Sequence, residues 1–383
     1  MKILIVNKFL YPNGGSESYI FGIGRQLQEM GHEVQYFGME NKNRIVGNNV
    51  ESYTSDMDFH TGKLQKLFYP FKIIYSLEAR KKIRAVLDDF KPEVVHLNNF
   101  TYQLTPSIIY EIKKYEKDTG KKIRIVATVH DPQLVCPNHL LMNGVTGKPC
   151  QQCLTGKFIH CTKGRCIHGS AIKSLLGTVE SQLYRSLHTY RMIDTILCPS
   201  EFIKLKMDMN PDLKGRTKML RNFIDIKQPK QENILEKGKY VLYFGRFSEE
   251  KGIKTLIRAA KELSDIPFVF AGNGPFEKEV NAVENIENRG FLSGTKLAET
   301  IENAAFSLIA SECFENCPFA VMESQMLHTP VIGANIGGIP ELIKQGVHSR
   351  NHFAGFLCLL GIKSRMNESL RTCKSEMFSY FRR

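Results

Sequence analysis

The sequence predicts an α/β chain built as two parallel-sheet domains, and three observations carry that expectation. At 383 residues it exceeds what one hydrophobic core organises, since domains run to roughly 100–200 residues. Short β-rich runs alternate with helical patterns along both halves, the rhythm of βαβ units. A polar stretch, IKQPKQENILEKG at 226–238, separates the two sets as a linker would.

In chain order, the first set of strands is expected at 2–6 (KILIV), 33–37 (EVQYF), 93–97 (EVVHL), 123–129 (IRIVATV) and 194–198 (DTILC). The second is expected at 239–244 (KYVLYF), 267–270 (PFVF), 306–310 (FSLIA) and 330–333 (PVIG). The domains so delimited are 1–225, 239–347 and an atypical tail at 348–383. Ligands of open parallel sheets bind beyond the carboxyl ends of the strands, and each glycine-rich turn here falls at such an end. Two Rossmann-like sheets facing one another would make a cleft.

No window is apolar and long enough for a membrane span, and MKILIVNKF reads as a first strand rather than a signal peptide. The expected location is the cytoplasm, at the inner face of the membrane where an acceptor is lipid-linked. The formal charge is +13, and residues 1–234 carry 34 Lys and Arg against 22 Asp and Glu, so the excess sits almost wholly in the first half. That asymmetry suits an anionic partner, either a phosphate-bearing substrate or an acidic membrane surface. Nucleic acid competes on charge alone, but no nucleic-acid-binding motif is present. Residues 62–89 mix bulky apolar residues with a Lys/Arg face, which fits a peripheral membrane contact or an ordinary amphipathic surface helix.

The first strand runs into Tyr11-Pro12-Asn13-Gly14-Gly15-Ser16-Glu17. Paired glycines let the backbone approach a ligand and present N–H groups at a helix start. A plain tight turn reads the same way. The full G-x-G-x-x-G fingerprint is absent, which argues against a nicotinamide-dependent dehydrogenase. At the opening of the second domain, Gly245-Arg246-Phe247-Ser248-Glu249-Glu250-Lys251-Gly252 puts two cations at a strand exit, where they can hold a diphosphate. A leaving nucleoside diphosphate develops negative charge that needs such groups or a metal. No acidic D-x-D metal motif is evident, so the cations fit transfer without a cofactor. Glu315-Asn316-Cys317-Pro318-Phe319-Ala320-Val321-Met322-Glu323 adds two carboxylates, each able to accept hydrogen bonds from vicinal hydroxyls.

Taken in order, NGGSE, KPEVVHLNN, VHD at 129–131, DTILCPSEF, GRFSEEKG, AGNGP, ECFENCPFAVMES and TPVIGANIGGIPELI resemble the GT-B glycosyltransferases of family 4 from residue 1 to about 347. The resemblance implies two Rossmann-like domains facing across a cleft, a nucleoside-diphosphate sugar as donor, and a glycan or lipid-linked acceptor in cell-surface polysaccharide or glycolipid synthesis. It implies that Arg246 and Lys251 bind the donor diphosphate, Glu315 the donor sugar hydroxyls and Glu323 the nucleotide ribose. Gly14 and Gly15 would line the diphosphate from the other side, the backbone from Asn316 to Phe319 would help at the sugar and phosphate, and His130 would contact the transferred sugar. The family retains anomeric configuration, so no protein nucleophile is assigned.

Five of the ten cysteines fall in one insertion at 136–166: Cys136, Cys150, Cys153, Cys161 and Cys166. The C-x2-C at 150–153 supplies two thiolates from one knuckle, and two of the other three complete a tetrahedral zinc site, which in a reducing compartment is favoured over disulfides. A subset of the family resembles this insertion, which points to Cys136, Cys150, Cys153 and Cys166 as ligands. Four thiolates leave no open position, so the zinc would be structural.

After Gly346 the resemblance stops. The tail lacks the expected strand and long helix, which predicts a second domain incomplete at its C-terminus. Codons allowed for His348 to Phe353, read one base later, can spell Thr-Ala-Gly-Ile-Ile-Leu, a family-like continuation. The alternative to an active enzyme is then a catalytically impaired nucleotide-sugar-binding protein.

Overall fold

A computed structural model describes residues 1–55, 73–224 and 240–343, together with the backbone of 348–349 and 352–353. The chain divides into two units, Met1–Phe223 and Ile224–Arg383. The expected linker at 226–238 and most of the tail lie outside the described residues.

In the first unit the strands are β1 (Lys2–Val6), β2 (Glu33–Phe37), β3 (Val94–Leu97), β4 (Arg124–Thr128), β5 (Thr195–Cys198) and β6 (Thr217–Met219). They form one parallel sheet in the order β2-β1-β3-β4-β5-β6. Central β1 is buried on both faces, with Leu4, Ile5 and Val6 fully covered, which is why the strand reads as a continuous apolar run. Edge strand β6, Thr-Lys-Met, lacks that signal because most of it is exposed.

The helices are α1 (Gly15–Glu29), α2 (Leu77–Phe90), α3 (Ser107–Thr119), α4 (Ile159–Lys163), α5 (Ala171–Ser186) and α6 (Glu201–Asp208). Helix α2 is capped by Ser76, whose hydroxyl accepts from the Ala79 amide at 3.1 Å. It buries Ala79, Ile83, Val86, Leu87 and Phe90. Its basic residues Arg80 and Arg84 pair with α3, at 2.7 Å to Glu111 and 2.6 Å to Asp118. The described part of the 62–89 segment is therefore an amphipathic helix turned onto its own domain, with two of its cations already neutralised; residues 62–72 lie outside the described residues.

In the second unit, β7 (Val241–Phe244), β8 (Phe268–Ala271), β9 (Ile286–Asn288), β10 (Phe306–Ile309) and β11 (Val331–Gly333) make a parallel sheet in the order β11-β10-β7-β8-β9. The helices α7 (Ile253–Glu262), α8 (Glu277–Asn281), α9 (Gly294–Glu302), α10 (Phe319–Met326) and α11 (Ile339–Leu342) cover it. Alternate strand residues feed opposite faces: Val241, Tyr243, Phe268 and Phe270 pack with α7, while Leu242, Phe244, Val269 and Ala271 pack with Ile301 and Leu327. Strand β9, Ile-Glu-Asn, was not expected, since a three-residue edge with one buried apolar side chain has no run to read. In the tail, β12 (His348–Ser349) and β13 (His352–Phe353) form a short antiparallel ladder, where no strand was expected.

Candidate active site

Each unit carries a cluster at the carboxyl ends of its central strands. In the second unit, β7 delivers Gly245 and Arg246, a short 3-10 turn (Glu249–Lys251) delivers Lys251, and Gly252 in the left-handed region (φ 75°) starts α7. A side chain on Gly252 would stand 2.0 Å from the Ala310 carbonyl oxygen, so only glycine lets this turn lie against the end of β10. That contact brings Lys251 to Glu315. Lys251 Nζ lies 2.5 Å from Glu315 Oε1, which also accepts the Ser311 hydroxyl at 2.6 Å. Burial works against the Lys251 charge, but the Glu315 carboxylate outweighs it and raises the ammonium above its usual range.

Arg246 is more exposed and stands 3.9 Å from Glu250 Oε1, a carboxylate already accepting the Ser248 hydroxyl at 2.7 Å. Asn316 lies in the loop before α10, which Phe319 begins; both are half-buried. Glu323, on α10, has its carboxyl pushed up to about 7 by burial, and among the described residues no side chain pairs with it.

In the first unit, Gly14 caps α1 in an extended conformation and Gly15 is its first residue, both exposed. Beneath them, Glu17 is buried, accepting from Asn7 Nδ2 and from Ser16 Oγ, each at 2.9 Å. Asn99 joins this network through Ser16 Oγ at 2.8 Å and through Asn7 Oδ1, which accepts its amide at 3.1 Å. The glycine turn is thus pinned to the ends of β1 and β3.

His130 follows β4. Its Nε2 lies 2.9 Å from Asn98 Oδ1, and the Tyr19 ring meets it edge-on at 5.0 Å. Asn98 is fully buried, and its Nδ2 points at the carbonyls of His96 (3.2 Å) and Val6 (3.4 Å), which fixes its oxygen toward the histidine. His130 Nε2 therefore carries the proton. Burial lowers the ring to about 4 against the opposing charge of Asp131, so the imidazole is neutral at physiological pH. Next to it, buried His96 holds Thr128 Oγ1 at 2.8 Å, and burial and then His130 lower it to about 3.

The five cysteines of the insertion line one cavity with His160, Asn138, Leu141 and Met142. Among the described residues, no three His, Cys, Asp or Glu side chains stand in a metal-holding arrangement.

Residues 13–228 match the family model described as Glycosyltransferase Family 4, more than half of the chain. The chain belongs to glycosyltransferase family 4. Residues 225–359 of this family 4 chain also match the model described as Glycosyl transferases group 1, a match that runs beyond residue 347, where the motif resemblance stops. The chain is 22% identical to N-acetyl-alpha-D-glucosaminyl L-malate synthase of Bacillus anthracis over 92% of its own length and 82% of that protein. Over 111 residues it is 33% identical to a GDP-mannose-dependent alpha-mannosyltransferase of Corynebacterium glutamicum, covering 29% of this chain and 26% of that one. Among solved structures, Anabaena HepE in complex with UDP and glucose superposes with a TM-score of 0.65 at 15% identity, covering 100% and 92% of the two chains. The catalytic domain of Starch Synthase IV from Arabidopsis thaliana, bound to ADP and acarbose, gives 0.63 at 13% identity over 100% and 93%. The fold is accordingly that of the GT-B glycosyltransferases.

Within the family 4 chain, the structure adds residues that motif reading passed over. Ser311 shares Glu315 with Lys251, and Gly337, at φ 62°, lies so close under Glu315 that a side chain there would meet its carbonyl oxygen at 2.2 Å. Asn98 was present only as part of KPEVVHLNN, and the side-chain contact that fixes His130 has no signature in sequence spacing. No helix among the described residues is long and apolar enough to cross a membrane.

Proposed function

We propose that this chain transfers a sugar from a nucleoside-diphosphate sugar to a glycan or lipid-linked acceptor. The observation that carries this reading is the cluster of Lys251, Glu315 and Ser311 beside Arg246, where a cation for phosphate and a carboxylate for hydroxyls occupy adjacent strand exits. Arg246 and Lys251 offer the positive charge a departing diphosphate requires. Glu315 accepts from sugar hydroxyls, and Glu323, Asn316 and Phe319 lie on the segment that leads from sugar to ribose. HepE, solved with UDP and glucose, and Starch Synthase IV, solved with ADP and acarbose, support a nucleotide-bearing donor.

His130, neutral and held by Asn98, serves the transferred sugar as a hydrogen-bonding group rather than as a cation. Gly14 and Gly15 offer the amide end of α1 to phosphate. Attack from the face the diphosphate leaves, with a phosphate oxygen taking the acceptor proton, gives retention and needs no protein nucleophile.

Incubation with UDP-, GDP- and ADP-sugars, followed by nucleoside diphosphate release and NMR of the product anomer, tests this reading. Release without retained configuration removes the mechanism. Thermal stabilisation by a donor with no turnover on any acceptor would favour the nucleotide-sugar-binding alternative.

A further inference from the structure

The cysteine insertion is unused by the sugar chemistry. Cys136, Cys150, Cys153, Cys161 and Cys166 line a single cavity with His160. Buried thiols need no such company, and their surroundings are unequal. Cys136 Sγ donates to Asn138 Oδ1 at 2.9 Å.

Cys161 differs from the others. It is the most buried of the five and packs with Cys153 and Phe158. A tetrahedral zinc takes four sulfurs, so one of the five is left over, and the innermost, Cys161, is the one placed to donate its S–H to a neighbouring thiolate.

We propose that the cavity holds one zinc ion through Cys136, Cys150, Cys153 and Cys166, with the Cys161 S–H donating to the Cys166 thiolate. Without the metal no three of these side chains stand in a metal-holding arrangement, so the half-buried Cys150 and Cys166 are the two that would close on the ion as it binds. The four thiol protons pass to solvent as the Zn²⁺–S bonds form, with no change of oxidation state. The same insertion carries the exposed cations Lys148, Lys157, Lys163 and Arg165, which suit a site of net negative charge. Its structural task is legible at Cys136: Pro137 accepts the Tyr102 hydroxyl, and His139 stacks on Tyr102 at 4.8 Å and stands 3.6 Å from Asp131, the neighbour of His130.

Elemental analysis of the full chain is expected to give about one zinc per chain, and cobalt substitution a thiolate-to-metal absorption band. Cys161→Ala should keep the metal, whereas Cys166→Ala and Cys153→Ala should lose it. Where a variant fails to fold, a zinc chelator added to the wild type supplies the second measurement: released metal, newly titratable thiols and a lower Tm are expected. Metal-free protein whose insertion thiols all titrate, a Cys161–Cys166 disulfide, or metal lost from Cys161→Ala but kept by Cys166→Ala would each overturn the assignment. Zinc content is read without any sugar transfer, so its failure is distinct from failure of the proposed activity.

Discussion

Lys251 Nζ stands 2.5 Å from Glu315 Oε1, so the cation at the exit of β7 and the carboxylate at the exit of adjacent β10 neutralise one another. Each is proposed to bind a different part of the donor. Replacing Lys251 with Ala is therefore expected to lower kcat/KM by on the order of 10²–10³, the loss that follows removal of one group stabilising a developing anion. Steady-state kinetics with the preferred donor checks this, and Lys251→Ala with unchanged turnover would remove Lys251 from the site. Glu315→Gln, which keeps an acceptor but drops the charge, is expected to cost less than Glu315→Ala.

A second test separates shape from charge. Gly337 and Gly290 both lie in the left-handed region, at φ 62° and 66°. A Cβ at Gly337 would meet Glu315 O at 2.2 Å, whereas at Gly290 it would meet nothing within 4 Å. Gly290→Ala is expected to show backbone strain alone, about 1 kcal/mol. Gly337→Ala must in addition move Glu315, and its activity should fall well beyond its loss of stability. Equal effects of the two variants on activity would show that Glu315 tolerates displacement.

These contacts mark how far the sequence could be read. Strands β1, β4, β7 and β10 were legible because parallel strands covered on both faces are apolar runs. Strands β6 and β9 were not, because edges of three residues carry almost no apolar signal. Lys251 and Glu315 were expected as separate ligand contacts. Their pairing depends on the approach of Gly252 to Ala310, a tertiary fact that no motif encodes. His130 could be singled out, but Asn98 Oδ1, which sets its proton, could not.

The Asn98–His130 contact gives a titration. Asn98→Asp would place a carboxylate where a neutral oxygen now sits 2.9 Å from Nε2. The His130 pKa, now about 4 through burial, should rise by roughly 1–3 units. NMR of the imidazole across pH 3–8 follows it. An unmoved pKa would mean that the ring does not face residue 98.

Glu180, on α5, is buried with Oε1 lacking a hydrogen bond, and burial raises its carboxyl to about 8 against the Ser181 hydroxyl. The sign follows from proton counts. Between the unfolded value of 4.5 and about 8 the folded state holds a proton that the unfolded state has lost, so stability falls as pH rises through that window. Glu180→Gln removes the slope. The stability difference between wild type and variant should therefore move against the wild type by up to ~1.4 kcal/mol per pH unit across the window. Urea midpoints at pH 5 and pH 8 measure it, and parallel profiles for the two proteins would mean that the carboxyl ionises freely in the fold.

Glu323 sets the last expectation, because its ionisation falls within the working range. Burial raises its carboxyl to about 7. A ribose presents two vicinal hydroxyls, both donors, and only the ionised carboxylate accepts from both while donating nothing. Donor affinity should therefore strengthen as pH rises through about 7 and weaken below it, by at most tenfold per pH unit. Binding hydroxyls also stabilises the charged form, so the pKa should fall when the donor is bound, and proton release on binding should be largest below pH 7, between the bound value and the free value of about 7. Calorimetry of UDP, GDP and ADP binding in buffers of different ionisation enthalpy reads both quantities. Glu323→Gln should bind more weakly at pH 8, release no proton from this position, and lose the pH dependence, since a neutral amide presents one acceptor oxygen at every pH. A wild-type affinity that is flat from pH 6 to pH 8, with no proton released, would place the ribose elsewhere and leave Glu323 a buried carboxyl of α10.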